Sequence, residues 1–179
     1  GAGNPRSTIA TVTEIHDFLR ILYAAVGVPH DPETGEELMR MSTADIVKSL
    51  SNRPEGSRVI LLAPITTEGD SKGMISDLQR QGFVRVRVKG EVIELEAAEE
   101  VWPEDGGESE IVVDRLVVKE GVDSRMADSV EIAIRICGLE VRALAQERGA
   151  DHWEELAFAT SYRNVKTGFE LPLLTPKHF

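Results

Sequence analysis

The stretch QGFVRVRVKGEV, residues 81–92, decides the fold of this chain because it predicts a β-hairpin. Valine alternates with a charged residue along it, which is the period of a strand with one apolar and one charged face. The apolar face is predicted to hold Val84, Val86 and Val88, and the opposite face Phe83, Arg85, Arg87 and Lys89.

A two-residue turn at Lys89-Gly90 would lead into a second strand over residues 91–95. That register places Val86 beside Ile93, Val84 beside Leu95 and Arg85 opposite Glu94. A cross-strand pair of Arg85 with Glu94 is worth only about 0.2–1 kcal/mol. The row of cations is therefore either a solvated strand face or a surface kept for a partner.

Apolar runs elsewhere in the chain predict the remaining strands. The strongest is IVVDRLVVK, residues 111–119, which carries Asp114 and Arg115 inside an otherwise apolar run. An arginine there needs a carboxylate, within the chain or on another molecule, and its planar fork can hold one with two hydrogen bonds. Further strands are predicted at residues 58–63, 139–147, 152–162 and 168–174.

Helical periodicity and end signals predict the helices. One follows a capping box at residues 11–14 and ends at Gly27, and a short one begins near Ser42 or Thr43 and buries Ile46, Val47 and Leu50. Another uses Met74, Ile75 and Leu78 and ends at Gly82, and a last one is capped by Asp123 or Ser124 and ends at Gly138. Residues 96–110 are predicted to be an acidic, mobile loop. Interspersed helices and hairpins predict an α+β fold, with a mixed or antiparallel sheet and short packed helices.

Composition limits the classes of function. The formal net charge of -11 argues against a protein that binds nucleic acid mainly by neutralising phosphates. The single cysteine, Cys137, excludes an internal disulfide and a cysteine cluster for zinc, and it fits a reducing cytoplasm. No apolar run reaches membrane-spanning length and no signal peptide leads the chain, so we expect a cytoplasmic protein. The opening Gly1-Ala2-Gly3 resembles a cloning remnant, which predicts an excised fragment.

Motifs for catalysis or metal binding are missing from the sequence. It contains neither a phosphate-binding P-loop nor a dinucleotide-binding G-x-G-x-x-G after a strand. The GDSKG stretch at residues 69–73 is interpreted as a helix-entry loop, and the histidines lack the spacing of metal ligands. Asp114 is the one carboxylate in an apolar context, and we interpret it as a strand-edge or arginine-paired group.

Four blocks of the sequence carry a resemblance to a known family. They are NPRSTIATVTEIHDFLRILYAAVGVPH at residues 4–30, VILLAPI at 59–65, QGFVRVRVKGEV at 81–92 and VVDRLVVKEGVDSRMADSVEIAIRI at 112–136. Together with the closing LPLLTPKHF, they resemble the UvrA family of the bacterial ABC excinuclease, the damage-recognition ATPases of nucleotide excision repair. The blocks follow the family's order and span nearly the whole chain.

The resemblance implies a domain layout and a partner. Residues 1–40 would begin the first signature region, 41–152 would form an inserted UvrB-binding domain, and 153–179 would return to the signature region. The nucleotide-binding motifs lie outside this stretch, so the fragment is expected not to be an enzyme and to bind no cofactor itself. ATP, Mg²⁺ and DNA would be bound by the parent protein. The implied partner is UvrB, the transcription-repair coupling factor is a further candidate, and no membrane is involved.

The resemblance also assigns the docking residues. The family's basic contacts to acidic groups of UvrB fall on Arg85, in GFVRVR, and on Arg115, in VVDRLV. Arg87 and Lys89 would widen this patch, and Arg125 at a helix start would join it. The alternative is a nucleic-acid-contacting surface, which the row of Arg85, Arg87 and Lys89 also fits.

One departure from the family concerns zinc. Relatives often carry cysteine pairs in turns of the type PHCPxCG and FACPxCG, whereas this chain reads PHDPETG, with Asp31 and Thr34, and FATSYRNVKTG. Zinc binding therefore cannot be carried over. We expect local hydrogen bonds to hold these turns instead, as Asp and Thr side chains commonly do.

Overall fold

The computed structural model describes residues 18, 19, 21, 22, 27–66, 71–103, 108–164, 167 and 169–171. The chain divides into two compact units, one of Arg40–Thr160 and one of Gly1–Met39 with Ser161–Phe179. The capping box at residues 11–14 lies outside the described residues, while residues 18, 19, 21 and 22 are helical, as the sequence predicts.

The larger unit is built on a six-stranded antiparallel sheet with the strand order β3-β2-β4-β1-β5-β6. Its strands are β1 (Arg58–Thr66), β2 (Arg85–Val88), β3 (Glu91–Glu94), β4 (Glu108–Val117), β5 (Glu140–Gln146) and β6 (Glu154–Ala159). Its helices are α1 (Thr43–Ser51), α2 (Ser71–Arg80) and α3 (Asp123–Cys137). The predicted α+β class with an antiparallel sheet is confirmed.

The β2–β3 hairpin has the predicted register. Arg85 lies opposite Glu94 and Val86 opposite Ile93. Lys89 and Gly90 form the turn with φ values of 50° and 87°, the left-handed backbone that a tight two-residue hairpin turn requires. Val84 lies beside Leu95 as predicted, since the Leu95 N–H donates to the Val84 carbonyl at 2.8 Å. Its predicted place on the buried face is wrong, because β2 begins one residue later and this side chain is 58% exposed.

The helices cover one face of the sheet. Buried side chains of α1, α2 and α3 join alternate residues of the strands in one apolar cluster, which includes Leu50, Leu78, Met126, Leu61 and Val86. We call the opposite side the outer face; it carries a second, smaller apolar cluster of Ile60, Leu62, Val112 and Leu144. Side chains of each strand alternate between the two faces, as the pleat dictates.

A β-bulge interrupts the pairing of β4 with β1. Leu61 pairs with Asp114 but Leu62 pairs with Val112, so Val113 is an extra residue in β4. The extra residue reverses the alternation of faces. Asp114 therefore points to the helix side beside Leu61, and Arg115 points to the outer face beside Ile60.

The helix ends follow the sequence with one exception. Ser42 caps α1 in a reciprocal capping box with Asp45, and Gly138 ends α3 in the left-handed conformation, with φ 78°. The predicted cap of α3 at Asp123 or Ser124 is wrong. The cap position is Val122, which makes no side-chain cap bond and is buried, so packing rather than a polar cap sets this end.

Two further segments differ from the prediction. The acidic stretch is not a continuous loop, because residues Leu95–Glu100 form a 3₁₀ helix that buries Leu95 and Ala98, and Trp102 after it is also buried. The predicted terminal pair of strands is confirmed only close to its turn, where β7 (Tyr162–Arg163) pairs with β8 (Glu170–Leu171) in the smaller unit. The earlier part of the predicted strand 152–162 is the separate strand β6, which pairs with β5 in the main sheet.

Membrane insertion through a helix has no support in the described part of the chain, where no helix is long and apolar enough to cross a bilayer.

Candidate functional site

The outer face of the sheet carries arginines on four neighbouring strands. By strand register they are Arg58 on β1, Arg85 and Arg87 on β2, Arg115 on β4 and Arg142 on β5. Because the chain as a whole is acidic, the question for each arginine is whether a carboxylate of the same chain already neutralises it.

Arg87 is fully engaged within the sheet. Its Nη1 lies 2.8 Å from Oε2 of Glu110, it also pairs with Glu155, and only 13% of its side chain is exposed. Burial by itself would lower the pKa of Arg87, but Glu110 and then Glu155 outweigh it and raise that pKa. Arg142 shares the same acid, with Nη1 3.2 Å from Oε1 of Glu110. We call Arg87, Glu110, Arg142 and Glu155 the central network.

Arg85 has a partner and remains accessible. Its Nε donates to Oε1 of Glu94 at 2.8 Å, while 38% of the arginine side chain stays exposed. The pair lies across the hairpin in the predicted register. Such a pair adds little stability at the surface, but it holds the guanidinium in one orientation.

Arg115 differs from both because its guanidinium has no hydrogen bond or ion pair with any residue that the structure describes. The side chain is exposed on the outer face. Its backbone amide is fixed, since the N–H donates to Oδ1 of Asp114 at 2.7 Å. The Arg115 guanidinium is therefore unpaired among the described residues, while a hydrogen bond holds the backbone that carries it.

Asp114 and Arg125 form a bridge on the helix side of the bulge. Arg125 Nη2 and Nε lie 2.7 and 3.0 Å from the two oxygens of Asp114, and the Ser129 hydroxyl donates to the same carboxylate at 2.8 Å. Burial acts to raise the pKa of Asp114, but the hydrogen bonds from Arg125 and Ser129 prevail and lower it. The prediction that Asp114 is an arginine-paired carboxylate is confirmed.

The structure brings together three of the five predicted docking residues. Arg85, Arg115 and Arg125 line one depression of about 270 Å³ at the end of β2, which we call the notch. Arg87 and Lys89 line a different depression of about 390 Å³, together with Glu110 and Glu155. The predicted row of cations therefore lies in two separate depressions. The notch contains the accessible arginines, and the other depression contains Arg87, which two carboxylates neutralise.

Comparison with known proteins places this chain in a family. The family model of the UvrA interaction domain matches residues 42–147, more than half of the chain. The chain belongs to the UvrA interaction domain family. Both arginines of the notch that the sequence singled out first, Arg85 and Arg115, lie within the matched residues.

Relatives of this UvrA interaction domain match nearly the whole chain. It is 39% identical over 178 residues to UvrABC system protein A of Neisseria meningitidis serogroup A, strain Z2491, and 40% identical over 178 residues to UvrABC system protein A of Bacillus subtilis strain 168. These alignments cover 98% of this chain but 18% of either relative. The chain thus spans about a fifth of the length of the curated relatives that it matches.

A second polar cluster lies in the smaller unit, outside the residues matched to the UvrA interaction domain. Asp31 is 1% exposed, and its carboxylate accepts hydrogen bonds from Thr167 Oγ1 at 2.6 Å and Asn164 Nδ2 at 2.7 Å. The amides of Glu33 and Thr34 donate to its other oxygen at 2.7 and 3.2 Å. The bond to Thr167 contributes most to a lowered pKa of Asp31, while burial opposes it. We call Asp31, Thr34, Asn164 and Thr167 the polar staple.

The polar staple joins the PHDPETG and FATSYRNVKTG turns, for which the family resemblance implies cysteine pairs. Asp31-x-x-Thr34 and Asn164-x-x-Thr167 repeat one spacing, and Asn164 also approaches the Thr34 hydroxyl, at 3.3 Å. One carboxylate, one amide and two hydroxyls do not fit zinc, which prefers thiolate and imidazole ligands. No group of three or more His, Cys, Asp or Glu side chains among the described residues could hold a metal ion. Hydrogen bonds hold these turns, as expected, but they run between the turns as well as within them.

Sequence reasoning misses the central network and the long-range half of the polar staple. The sequence places Glu110 in an acidic loop and Arg142 in a strand without a role. The alternation of side chains along β4 and β5 gives a partial signal, because it places Glu110 and Arg142 on the outer face. Their contact depends on the strand order, which a single sequence does not provide.

Proposed function

We propose that this chain is the docking part of a UvrA protein and binds UvrB, with Arg85 and Arg115 contacting acidic side chains of that partner. The observation that carries the proposal is the pair formed by one oriented and one unpaired arginine in the same notch. Arginine is enriched at the energetic centres of protein interfaces because its planar fork binds a carboxylate through two hydrogen bonds.

Charge supports a protein partner over DNA. A polyanion is bound by many accessible cations, and each neutralised phosphate contributes to the salt dependence of binding. Here the chain has a net charge of -11, and Arg87, at the middle of the row that motivated the alternative, is already held by two carboxylates. An acidic background with a few accessible arginines favours one complementary acidic surface and disfavours DNA at the same face.

The remaining candidate residues take supporting roles in this proposal. Arg125 positions Asp114, which in turn fixes the backbone of Arg115, so Arg125 acts through its neighbour. Arg87 stabilises the sheet through its pairs with Glu110 and Glu155, and Lys89 contributes charge at the hairpin turn. The transcription-repair coupling factor, as a second acidic partner, would compete for the same notch.

The proposal extends to the whole protein by analogy with its relatives. A UvrABC system protein A would supply nucleotide binding, with ATP and Mg²⁺, and damaged-DNA binding in nucleotide excision repair. This chain would recruit UvrB to that complex. The sequence carries neither a P-loop nor another nucleotide-binding motif. The proposed docking function does not require ATP hydrolysis by this chain.

Titration of purified UvrB into the chain tests the proposal. Arg85→Ala and Arg115→Ala should each raise the Kd at least about tenfold, equal to roughly 1.4 kcal/mol of binding free energy. Their melting temperatures should stay at the wild-type value, because neither residue supports the core. Lys48→Ala, an exposed cation of α1, is the matched control and should bind as wild type. Wild-type affinity in both arginine variants would refute the proposal.

A further inference from the structure

A second depression adjoins the notch at Arg115. It has a volume of about 250 Å³ and is lined by Arg58, Ile60, Arg115, Leu116, Val117 and Trp153. Trp153 is 39% exposed and Val117 is 49% exposed, so this end of the outer face presents apolar side chains to solvent. Because Arg115 lines both depressions, the two form one continuous surface.

Arg58 and Arg115 are two accessible cations beside the apolar residues of this depression. Arg58 is exposed, and like Arg115 it has no ion pair or hydrogen bond from its side chain to any part of the chain that the structure describes. Arg58 lies opposite Val117 and Arg115 opposite Ile60, which makes the two arginines diagonal neighbours across the β1–β4 pair. By contrast, Arg85, Arg87 and Arg142 of the same face all have carboxylate partners.

The tryptophan is held at the start of a paired strand. The next residue, Glu154, pairs with Ala145 of β5, and its carboxylate lies 2.7 Å from Nη2 of Arg53. A large aromatic side chain on an ordered backbone loses little conformational entropy on binding. Trp and Arg are also the residue types most enriched among interface residues whose removal costs the most affinity.

We infer that this depression is a second contact site for the same acidic partner, and that it receives an apolar side chain flanked by carboxylates. The inference rests on the proposed function and adds a specificity pocket to it. The apolar side chain would pack on Trp153 and Val117, and the flanking carboxylates would meet Arg58 and Arg115. Two free cations on an acidic chain suit a short acidic peptide segment better than a nucleic-acid backbone.

Binding measurements with UvrB on the full 179-residue chain test this site. Trp153→Ala should raise the Kd about tenfold and leave its salt dependence unchanged, whereas Arg58→Ala should raise the Kd about threefold and reduce the salt dependence. Val101→Ala removes an exposed apolar side chain elsewhere and should bind as wild type. Trp153→Phe, which keeps an aromatic ring, should recover most of the affinity and guards against a folding defect in the alanine variant.

A spectroscopic readout locates the contact directly. The chain has two tryptophans, and Trp102 is buried, so 5-fluorotryptophan labelling gives one buried and one exposed fluorine signal. Unlabelled UvrB should shift the Trp153 signal, assigned with Trp153→Phe, and leave the Trp102 signal in place.

The possible outcomes separate the two proposals. If Arg115→Ala loses affinity while Trp153→Ala and Arg58→Ala bind as wild type and the Trp153 signal is unmoved, the second site is refuted and the proposed function stands. If every variant binds as wild type, both fail. If a single-stranded DNA of about 20 nucleotides at physiological salt shifts the Trp153 signal as UvrB does, the assignment to a protein segment is overturned.

Discussion

Arg125 donates two hydrogen bonds to the Asp114 carboxylate, and this ion pair connects α3 to the bulge of β4. The same carboxylate accepts the backbone N–H of Arg115, so one acid joins a helix, a strand and the backbone of the candidate docking arginine. The bulge at Val113 makes this arrangement possible, because it turns Asp114 to the helix side while Arg115 faces outward.

Removal of the Asp114 carboxylate should weaken both stability and docking. Asp114→Ala leaves the Arg125 guanidinium and the Arg115 amide without this acceptor, while the Ser129 hydroxyl keeps only the Arg125 carbonyl at 2.9 Å. We expect a loss of about 1–2 kcal/mol in the free energy of unfolding. Chemical denaturation measures it. Asp128→Ala, an exposed acid of α3, is the control and should stay within about 0.5 kcal/mol of wild type. Equal stability of the two variants would contradict the bridge.

The stability that Asp114 provides should depend on pH in a defined direction. Its pKa in the folded chain lies below the ordinary value of 3.8, so the folded state holds the proton less tightly than the unfolded state. The stabilisation is therefore present at neutral pH and is lost as the pH falls below 3.8 through the folded pKa. Denaturation midpoints of wild type and Asp114→Ala should converge in that acidic range, and a constant difference down to about pH 2 would exclude this linkage.

Glu110 should matter more for stability than any other acid of the outer face. Its side chain is 7% exposed and serves both Arg87 and Arg142, so Glu110→Gln leaves two partly buried cations short of a counter-charge. We expect a loss of about 2–3 kcal/mol in unfolding free energy. Glu91→Gln, at an exposed position of β3, is the matched control. A Glu110→Gln variant as stable as this control would show that the central network contributes nothing.

The hairpin turn offers a stabilising substitution. Lys89 has a φ of 50°, a backbone conformation that asparagine tolerates better than lysine. Lys89→Asn should raise the unfolding free energy by up to about 1 kcal/mol, as measured by thermal denaturation. Lys119→Asn, an exposed lysine outside the turn, should give no gain. The same variant also removes the positive charge of this candidate residue, and we expect its UvrB affinity to change less than about twofold.

The polar staple should make the smaller unit independent of zinc. Asp31→Ala removes the acceptor of four hydrogen bonds and should speed amide hydrogen exchange in residues 29–38 and 161–164. Glu33→Ala, an exposed neighbour, should exchange as wild type. A zinc chelator should leave the wild-type exchange pattern unchanged. A chelator effect, or stoichiometric zinc in the purified chain, would contradict a metal-free staple.

The sequence predicts the local features of this fold well, because their causes are local. A two-residue turn fixes the register of the β2–β3 hairpin, so the pairing of Arg85 with Glu94 follows from the alternation alone. The capping box at Ser42 and the glycine at 138 set helix ends for the same reason. The predicted burial of Val84 is wrong because the alternation of side chains does not show at which residue a strand begins.

Features that depend on strand order escape sequence reasoning. The contact of Arg87 with Glu110 requires β2 beside β4, and the contact of Asp31 with Asn164 joins residues 133 positions apart. The bulge at Val113 is also hidden, since it exists only relative to the partner strand β1. Nothing local in the sequence distinguishes Arg87, which is neutralised, from Arg115, which is free of partners among the described residues. The domain boundaries at residues 40 and 152 stay predictions; β6, beyond the second of them, completes the sheet of the larger unit.

Docking through Arg85 and Arg115 is tested most directly by a calorimetric titration of UvrB into the Arg85→Ala/Arg115→Ala double variant at about 50 and about 300 mM salt. Docking through these two arginines predicts a Kd at least about a hundredfold higher for the folded double variant, with a weaker salt dependence than that of the wild type. Wild-type affinity in the double variant, with the same salt dependence, would contradict it.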